Sequence, residues 1–196
     1  LAAKTRRPGK EATVTPFVTR TDALSPDDCD RIIAQASVAQ LRDAGLAGGT
    51  TRHGIRRAEL VWLDDLPDVA WVMDRMIGLV ADANRESFGF DLSDFAESAQ
   101  IARYGAERQG HFDWHSDIGA GALAARRKLT VVVQLSKPAR YAGGGLELRP
   151  DSNIHAASAT RGTATIFPGF VLHRVTPVTS GTRWSLTLWA HGPAFR

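Results

Sequence analysis

Apolar side chains recur every three or four residues along the first half of the chain and alternate or cluster in short blocks along the second half. Cys29, Ile32, Ile33 and Ala36 recur at helical spacing behind Leu24-Ser25-Pro26-Asp27-Asp28. There Ser25 can cap, Pro26 suits the first helical position, and the two aspartates favour the positive end of the helix dipole. A second stripe, Val69, Val72, Met73, Met76, Ile77 and Val80, follows a start at Asp65-Leu66-Pro67-Asp68 and predicts a helix lying against a sheet, with Trp71 and the methionines packed rather than functional. Between the two helices, the segment from Gly45 to Thr51 reads as a loop and Glu59-Leu60-Val61-Trp62-Leu63 as a strand.

From Ala99 onward the composition is that of strands. Six runs stand out: Gln100 to Tyr104, Lys128 to Leu135, Leu146 to Leu148, Thr163 to Phe167, Val171 to Val175 and Trp184 to Trp189. Gly143-Gly144-Gly145 and Pro168-Gly169 punctuate them as turns. Helices first and strands later predict an α+β arrangement, with helices outside a β-sandwich or barrel.

The chain has 196 residues, 43% of them hydrophobic and 23% charged, a balance suited to one globular domain. Residues 1–15 carry Lys4, Arg6, Arg7 and Lys10 before any hydrophobic pattern begins, so a basic tail followed by a single domain over 16–196 is expected. That tail holds much of the net charge of +3, and no basic stripe interleaved with aromatics follows; nucleic acid is therefore not an expected partner. No apolar run approaches the roughly 20 residues needed to cross a bilayer, and no apolar segment follows the basic N-terminus. A cytoplasmic chain without membrane partners is the expectation. The single cysteine, Cys29, permits no internal disulfide and falls at a buried helix position.

Two elements of the strand-rich half carry chemistry. In Trp114-His115-Ser116-Asp117, side chains two apart on a strand share a face, so His115 and Asp117 can reach one ion. His173, beyond the Pro168-Gly169 turn, is the candidate third ligand. Two imidazoles and one carboxylate with open positions form the donor set of non-haem Fe(II) oxygenases. Ten residues after His173, Arg183 shares a strand face with Ser185, and a guanidinium fork with a hydroxyl can hold a carboxylate. His111-Phe112-Asp113 is a second H-x-D pair, four residues upstream on the same strand, and either pair can supply the ligands.

With these residues in place the chain resembles the iron(II)/2-oxoglutarate-dependent dioxygenase superfamily, especially the prolyl 4-hydroxylase-like branch that includes the PKHD-type hydroxylases. The resemblance covers residues 99 to 191. It rests on the order and spacing of Tyr104-Gly105, Trp114-His115-Ser116-Asp117, Arg127-Lys128-Leu129-Thr130, the run from Tyr141 to Leu148, and Phe167 through Trp189. The segment from Leu24 to Cys29 is similar to the helix that often opens these enzymes. The resemblance implies a β-dominated double-stranded β-helix, a cupin-like jelly-roll flanked by N-terminal helices. It implies Fe(II) on His115, Asp117 and His173, and 2-oxoglutarate with its distal carboxylate on Arg183, helped by Ser185 and Tyr104. O2 is then the second cosubstrate and ascorbate a stimulant.

The implied reaction hydroxylates an unactivated C–H bond of an amino-acid side chain, in a small-molecule or peptidyl substrate, with release of succinate and CO2. Asp117 agrees with hydroxylation, because related halogenases carry a small residue there. The resemblance also favours His115 and Asp117 over the upstream pair, through the aromatic before His115 and the Ile118-Gly119-Ala120-Gly121 loop after Asp117. His111 and Asp113 are then expected to line the pocket mouth or touch substrate, with Trp189 a further substrate candidate.

Other groups receive plainer readings. Gly143-Gly144-Gly145 is expected to be a tight turn, since no lysine follows in a phosphate-loop arrangement and no helix opens there. Trp184 and Trp189 alternate with core positions and are expected to pack. His53, His155 and His191 lack a partner at metal-ligand spacing and are read as loop or surface residues. Arg126, Arg127 and Arg140 are the arginines considered for a substrate carboxylate, while the loops near 40–58 and 118–126 carry no readable code. The alternative reading is a non-catalytic, metal-binding cupin-like sensor, which leaves Arg183 and Ser185 without a task.

Overall fold

The strands Arg127–Gln134 and Ala164–Pro168 are buried on both sides, and that requirement organises the molecule. The computed structural model describes residues 16–44 and 54–195. The basic tail, the loop from Gly45 to Thr51 and His53 lie outside the described residues. Two antiparallel sheets face each other. The larger contains β1 (Val18–Arg20), β2 (Arg42–Asp43), β4 (Glu59–Trp62), β5 (Gln100–Gly105), β7 (Arg127–Gln134), β8 (Tyr141–Gly143), β11 (Ala164–Pro168) and β13 (Val178–His191). Its order is β1-β11-β7-β13-β5-β4-β2, with β8 paired to the start of β13. The smaller contains β3 (Arg56–Arg57), β6 (His111–His115), β9 (Leu146–Arg149), β10 (His155–Ala156) and β12 (Leu172–Val175), in the order β10-β9-β12-β6-β3. This is a double-stranded β-helix, the jelly-roll expected from the sequence.

Period-two alternation lets each long strand of the larger sheet serve two layers. On β7, Leu129, Val131 and Val133 join the core beneath the helices, while Val132 joins the core between the sheets. On β13, Leu186, Leu188 and Ala190 face the helices, and Ser185, Thr187 and Trp189 line the space between the sheets. Trp184 packs in the helix-side core, as expected. The last strand is longer than its composition announces, starting at Val178 and reaching His191. His191 is consequently not a surface residue: it is fully buried, with Nε2 3.0 Å from Glu97 Oε2.

Two helices cover the outer face. α1 (Pro26–Val38) begins as predicted: Ser25 Oγ accepts from the Asp28 amide at 3.1 Å, and the Asp28 carboxylate accepts from the Ser25 amide at 3.1 Å, a closed capping box. Cys29, Ile32 and Ala36 are its buried stripe, and burial pushes the Cys29 thiol up to about 11. α2 (Ala70–Ala83) starts later than predicted. Leu66, which precedes Pro67, is extended with ψ 142°, as proline disfavours helix in the residue before it, and Asp68 takes φ 54°. Only a short 3-10 turn, Leu63–Asp65, forms at the expected start, and α2 has no side-chain cap. No described helix is long and apolar enough to cross a membrane.

Gly162 ties α1 to the sheet. Its carbonyl accepts from the Leu24 amide at 3.1 Å and its own amide donates to Gln134 at 2.7 Å, with φ +76°; a Cβ there would lie 2.0 Å from the Leu24 carbonyl oxygen. Gly162→Ala should therefore destabilise the fold by about 2 kcal/mol or more, from a left-handed residue compounded by a backbone clash. Ser25→Ala, which removes only the cap, should cost about 1 kcal/mol. Urea midpoints of the two variants check the order.

Candidate metal centre and anion site

β6 and β12 are neighbours in the smaller sheet, and their register sets His115 directly opposite His173. Two residues further along β12, Val175 pairs with Phe112, three residues back on β6. The extra residue on β6 is a β-bulge, and it brings Phe112 and His115 onto one face: their rings stack with centroids 3.4 Å apart and an interplanar angle of 13°. Asp117 follows the strand end, where its amide donates to Gly169 O at 2.9 Å across the Pro168-Gly169 turn.

His115, Asp117 and His173 converge, with one ligand atom from each lying within 4.8 Å of the others. His115 Nδ1 donates to Asp113 O at 2.7 Å and His173 Nδ1 to Val171 O at 2.9 Å. A carbonyl can only accept, so Nδ1 carries a proton in each ring and Nε2 is the nitrogen left to meet a metal. Those Nε2 atoms face opposite oxygens of one carboxylate, 3.8 Å from Asp117 Oδ1 and 3.6 Å from Asp117 Oδ2. Burial and the neighbouring His173 push the His115 imidazole well below its ordinary range, against the pull of Asp117, so it is the neutral ligand form. For Asp117, burial pushes the carboxyl up, but the charge interactions with His173 and His115 and the Thr130 hydrogen bond outweigh it and hold the group ionised. Thr130 Oγ1 donates to Asp117 Oδ2 at 2.6 Å, a short charge-assisted bond. This donor set fits a divalent metal bound on one face: two imidazoles of fixed tautomer, one anionic oxygen pair, and a cavity on the open side.

His111 and Asp113 do not share that face. His111 Nδ1 donates to Gln109 O at 2.9 Å, Asp113 is exposed and accepts from the Trp114 amide at 2.7 Å, and neither lines the cavity. Among the described residues they therefore stand apart from the cavity lining, and the bulge separates them from the face of His115.

The cavity holds about 910 Å³ and runs between the sheets from the triad past Tyr104, Ser185, Thr187 and Trp189. Behind Ser185 and Tyr104 lies Arg183, 2% exposed, with neutral partners: Nε donates to Gln134 Oε1 at 3.0 Å, Nη1 to Ser185 Oγ at 3.3 Å, and the guanidinium lies 5.6 Å over the Tyr104 ring. Burial depresses its pKa without neutralising it. The three glycines are the tight turn expected, with a packing task as well. Gly144 has φ +62°, and a Cβ there would lie 2.8 Å from Val178 Cγ2 and 3.1 Å from Arg183 Cδ.

Trp189 is buried, as expected of a packing residue, but it also lines the cavity. Its Nε1 approaches the Asp117 carboxylate, falls short of a hydrogen bond, and has no other partner among the described residues. Arg127 lies 4.0 Å over its ring, donates from Nη1 to Asp117 O at 3.3 Å, and pairs with Glu97 at 2.7 Å through Nε. Arg126 pairs with Asp94 at 2.6 Å, and neither it nor Arg140 lines the cavity. Glu97, Gln100, Gln134 and Arg56 escaped sequence reasoning. Gln134 and Gln100 sit in step with Thr130 and Tyr104 on their strands, so alternation alone could have found them; Arg56 and Glu97 carry no comparable signal.

The sequence model of the 2OG-Fe(II) oxygenase superfamily matches residues 99–191. A PKHD-type hydroxylase of Xanthomonas axonopodis pv. citri is 28% identical over 177 residues, which cover 86% of this chain and 75% of that protein. A PKHD-type hydroxylase of Delftia acidovorans is 36% identical over 70 residues, covering 36% of this chain and only 31% of its own length. A Trichoplax adhaerens prolyl hydroxylase, solved with a hypoxia inducible factor oxygen degradation domain peptide fragment, shares the fold with a TM-score of 0.75 at 16% identity, over 90% of this chain and 83% of that one.

Metal titration separates the two H-x-D pairs. Asp117→Ala and His173→Ala should weaken binding of Fe(II), or of Mn(II) as a redox-stable probe, beyond the roughly 10–100-fold typical of a lost supporting hydrogen bond. His111→Ala and Asp113→Ala should stay within about threefold of the parent, as surface substitutions do. Calorimetry on anaerobic protein gives all four constants.

Proposed function

We propose that this chain, which belongs to the 2OG-Fe(II) oxygenase superfamily through residues 99–191, is a 2-oxoglutarate-dependent dioxygenase that hydroxylates an unactivated C–H bond of an amino-acid side chain. One observation carries the reading: a two-histidine, one-carboxylate cluster lines a cavity, and a buried arginine with neutral partners lies directly behind Ser185 and Tyr104 of the same cavity's wall. The similarity to PKHD-type hydroxylases supports it, and the peptide held by the Trichoplax enzyme is a precedent for a peptidyl substrate.

His115, Asp117 and His173 would hold Fe(II), which when bound supplies O2 activation coupled to the oxidative decarboxylation of 2-oxoglutarate to succinate and CO2. The residues of the chain bind and orient. The Nδ1 hydrogen bonds of both histidines keep their Nε2 atoms directed inward, Thr130 fixes the Asp117 carboxylate, and the Gly169 carbonyl holds the Asp117 backbone amide. Arg183 would take the distal carboxylate of 2-oxoglutarate through a charge-assisted fork, with Ser185 and Tyr104 offering hydroxyls at the cavity wall. Because Arg183 is almost fully buried, a carboxylate that reaches it leaves water behind, which strengthens the pair and favours a dicarboxylate over a monocarboxylate.

Arg183→Ala should abolish Fe(II)-dependent succinate formation and weaken 2-oxoglutarate binding by about thirtyfold or more, as expected when one member of a buried charge pair is removed. Ser185→Ala should cost less, about one neutral hydrogen bond. Succinate assay and calorimetry with 2-oxoglutarate test both. Metal binding with no affinity for 2-oxoglutarate and a silent Arg183→Ala would instead identify a cupin-like sensor.

A further inference from the structure

One buried donor at the metal centre, the indole Nε1 of Trp189, has no hydrogen-bond partner among the described residues. Trp189 is 5% exposed and lines the cavity, so its N–H has lost water without gaining an acceptor, which costs the fold free energy. Its place in the sheet says which acceptor is near. Trp189 on β13 pairs with Thr130 on β7, and residues directly opposite one another lie about 5 Å apart at Cβ. Thr130 Oγ1 donates to Asp117 Oδ2 at 2.6 Å, and the neighbouring indole approaches the same carboxylate without reaching hydrogen-bond geometry.

The indole ring is held in that direction from behind. Arg127 lies 4.0 Å over its face, and is itself fixed by Glu97, through Nε at 2.7 Å and through Nη2, and by Asp117 O through Nη1 at 3.3 Å. Glu97 is fixed in turn by His191, two residues beyond Trp189 on β13. The Ala96 amide donates to His191 Nδ1 at 3.3 Å, so Nε2 carries the proton of that ring and donates to Glu97 Oε2 at 3.0 Å. A chain of paired groups therefore runs from His191 through Glu97 and Arg127 to the Trp189 ring, and only the N–H at its end is left open.

The count of acceptor sites gives the open donor a task. A carboxylate oxygen offers about two lone-pair directions. Thr130 takes one on Oδ2, and a second donor there leaves that oxygen nothing for a cation. Oδ1 receives no hydrogen bond among the described residues and faces His115 Nε2 at 3.8 Å.

We propose that Trp189 is a positioning residue for the metal: its indole N–H is the second donor to Asp117 Oδ2, and together with Thr130 it restricts the carboxylate to one metal-binding oxygen, Oδ1. The bond closes when a divalent cation draws Oδ1 toward the imidazoles and turns Oδ2 back to the indole. This rests on the reading of His115, Asp117 and His173 as a metal centre. A carboxylate held to one oxygen occupies one position on the metal where a chelating carboxylate occupies two, so Trp189 keeps a position open for the cosubstrates.

The test uses the full chain, isotopically labelled at the tryptophan indole nitrogens, with Zn(II) as a diamagnetic and redox-stable probe. Trp189→Phe identifies the Trp189 resonance by its loss. On addition of Zn(II), that resonance in the parent should move downfield and become protected from exchange with solvent. Calorimetry should show Mn(II) affinity falling about tenfold or more in Trp189→Phe, the effect of a lost supporting hydrogen bond. Trp189→benzothienylalanine, which keeps both rings and replaces only the N–H by sulfur, should lower the affinity equally. It should also leave the metal-free protein at least as resistant to urea as the parent, because the group removed is unsatisfied there. A side chain that merely packs does not give lower metal affinity with undiminished stability. Thr130→Val combined with Trp189→Phe should cost less affinity than the sum of the single changes, since both residues serve one oxygen. An indole resonance indifferent to Zn(II), undiminished metal affinity in the benzothienylalanine variant, or strict additivity with Thr130→Val would each overturn the proposal. A resonance that moves only when 2-oxoglutarate or succinate follows the metal would overturn it too, by assigning the donor to a bound ligand. Failure of the parent protein to bind Zn(II) or Mn(II) at all would be a different result, the collapse of the metal-centre reading itself.

Discussion

Two imidazole nitrogens aimed at a single buried carboxylate, with both ring N–H groups turned away, oppose one another electrostatically until a cation joins them. Asp117 has His115 Nε2 at 3.8 Å and His173 Nε2 at 3.6 Å, on opposite oxygens. The obvious relief would be a proton on one ring, which burial and the second imidazole disfavour at His115. The arrangement therefore has to be held by its surroundings. Main-chain carbonyls take the Nδ1 protons, Thr130 takes one carboxylate oxygen, and the Gly169 carbonyl and Arg127 hold the Asp117 backbone from either side. A site preorganised in this way does not wait for the metal to shape it, which is the use of a rigid β-scaffold beneath a ligand set.

That scaffold and the site share the same strands. On β7 the residues between Thr130 and Gln134 alternate between a contact with the site and a contact with the helices, and β13 does the same from Arg183 to Ala190. Leu186 and Leu188 fill the core on one side while Ser185, Thr187 and Trp189 define the cavity on the other. A one-residue slip of β13 would exchange the two faces, burying the arginine against leucines and pointing leucines at the cosubstrate region. The apolar core thus does more than stabilise the protein: it fixes the register that places Arg183. The helices take part in this, because the stripes of α1 and α2 make the outer face of the sheet a buried one.

The sequence is legible where chemistry and periodicity coincide. The Ser25 cap, the strand positions from Gln100 to Trp189, and the wide separation of His115 from His173 and Arg183 can all be read from side-chain type and spacing. The second helix start is misread because Asp65-Leu66-Pro67-Asp68 has the composition of a start, while Pro67 constrains Leu66 to an extended conformation. His191 is misread for a different reason. Its partner Glu97 lies 94 residues earlier, in a segment with no strand or helix signature, and no local pattern announces such a pair. Arg56 belongs with it: two consecutive arginines on a two-residue strand look like solvated surface until β6 and β5 are packed against them.

The overlapping motifs at His111-Phe112-Asp113 and His115-Ser116-Asp117 show where local periodicity stops being sufficient. On a regular strand His111, Asp113 and His115 would point the same way, and alternation would not choose between the pairs. The structure breaks the symmetry with one additional residue in β6 between the partners of Val175 and His173. That residue turns His115 onto the face of Phe112 and toward His173, and leaves Asp113 in solvent. Phe112 thereby meets both the His115 ring, stacked at 3.4 Å, and the Arg56 guanidinium, 4.6 Å from its centroid. A single bulge thus selects the ligand pair and, through the same ring, sets a second cation beside it, so the metal region and the adjoining wall of the cavity are consequences of one irregularity in the sheet.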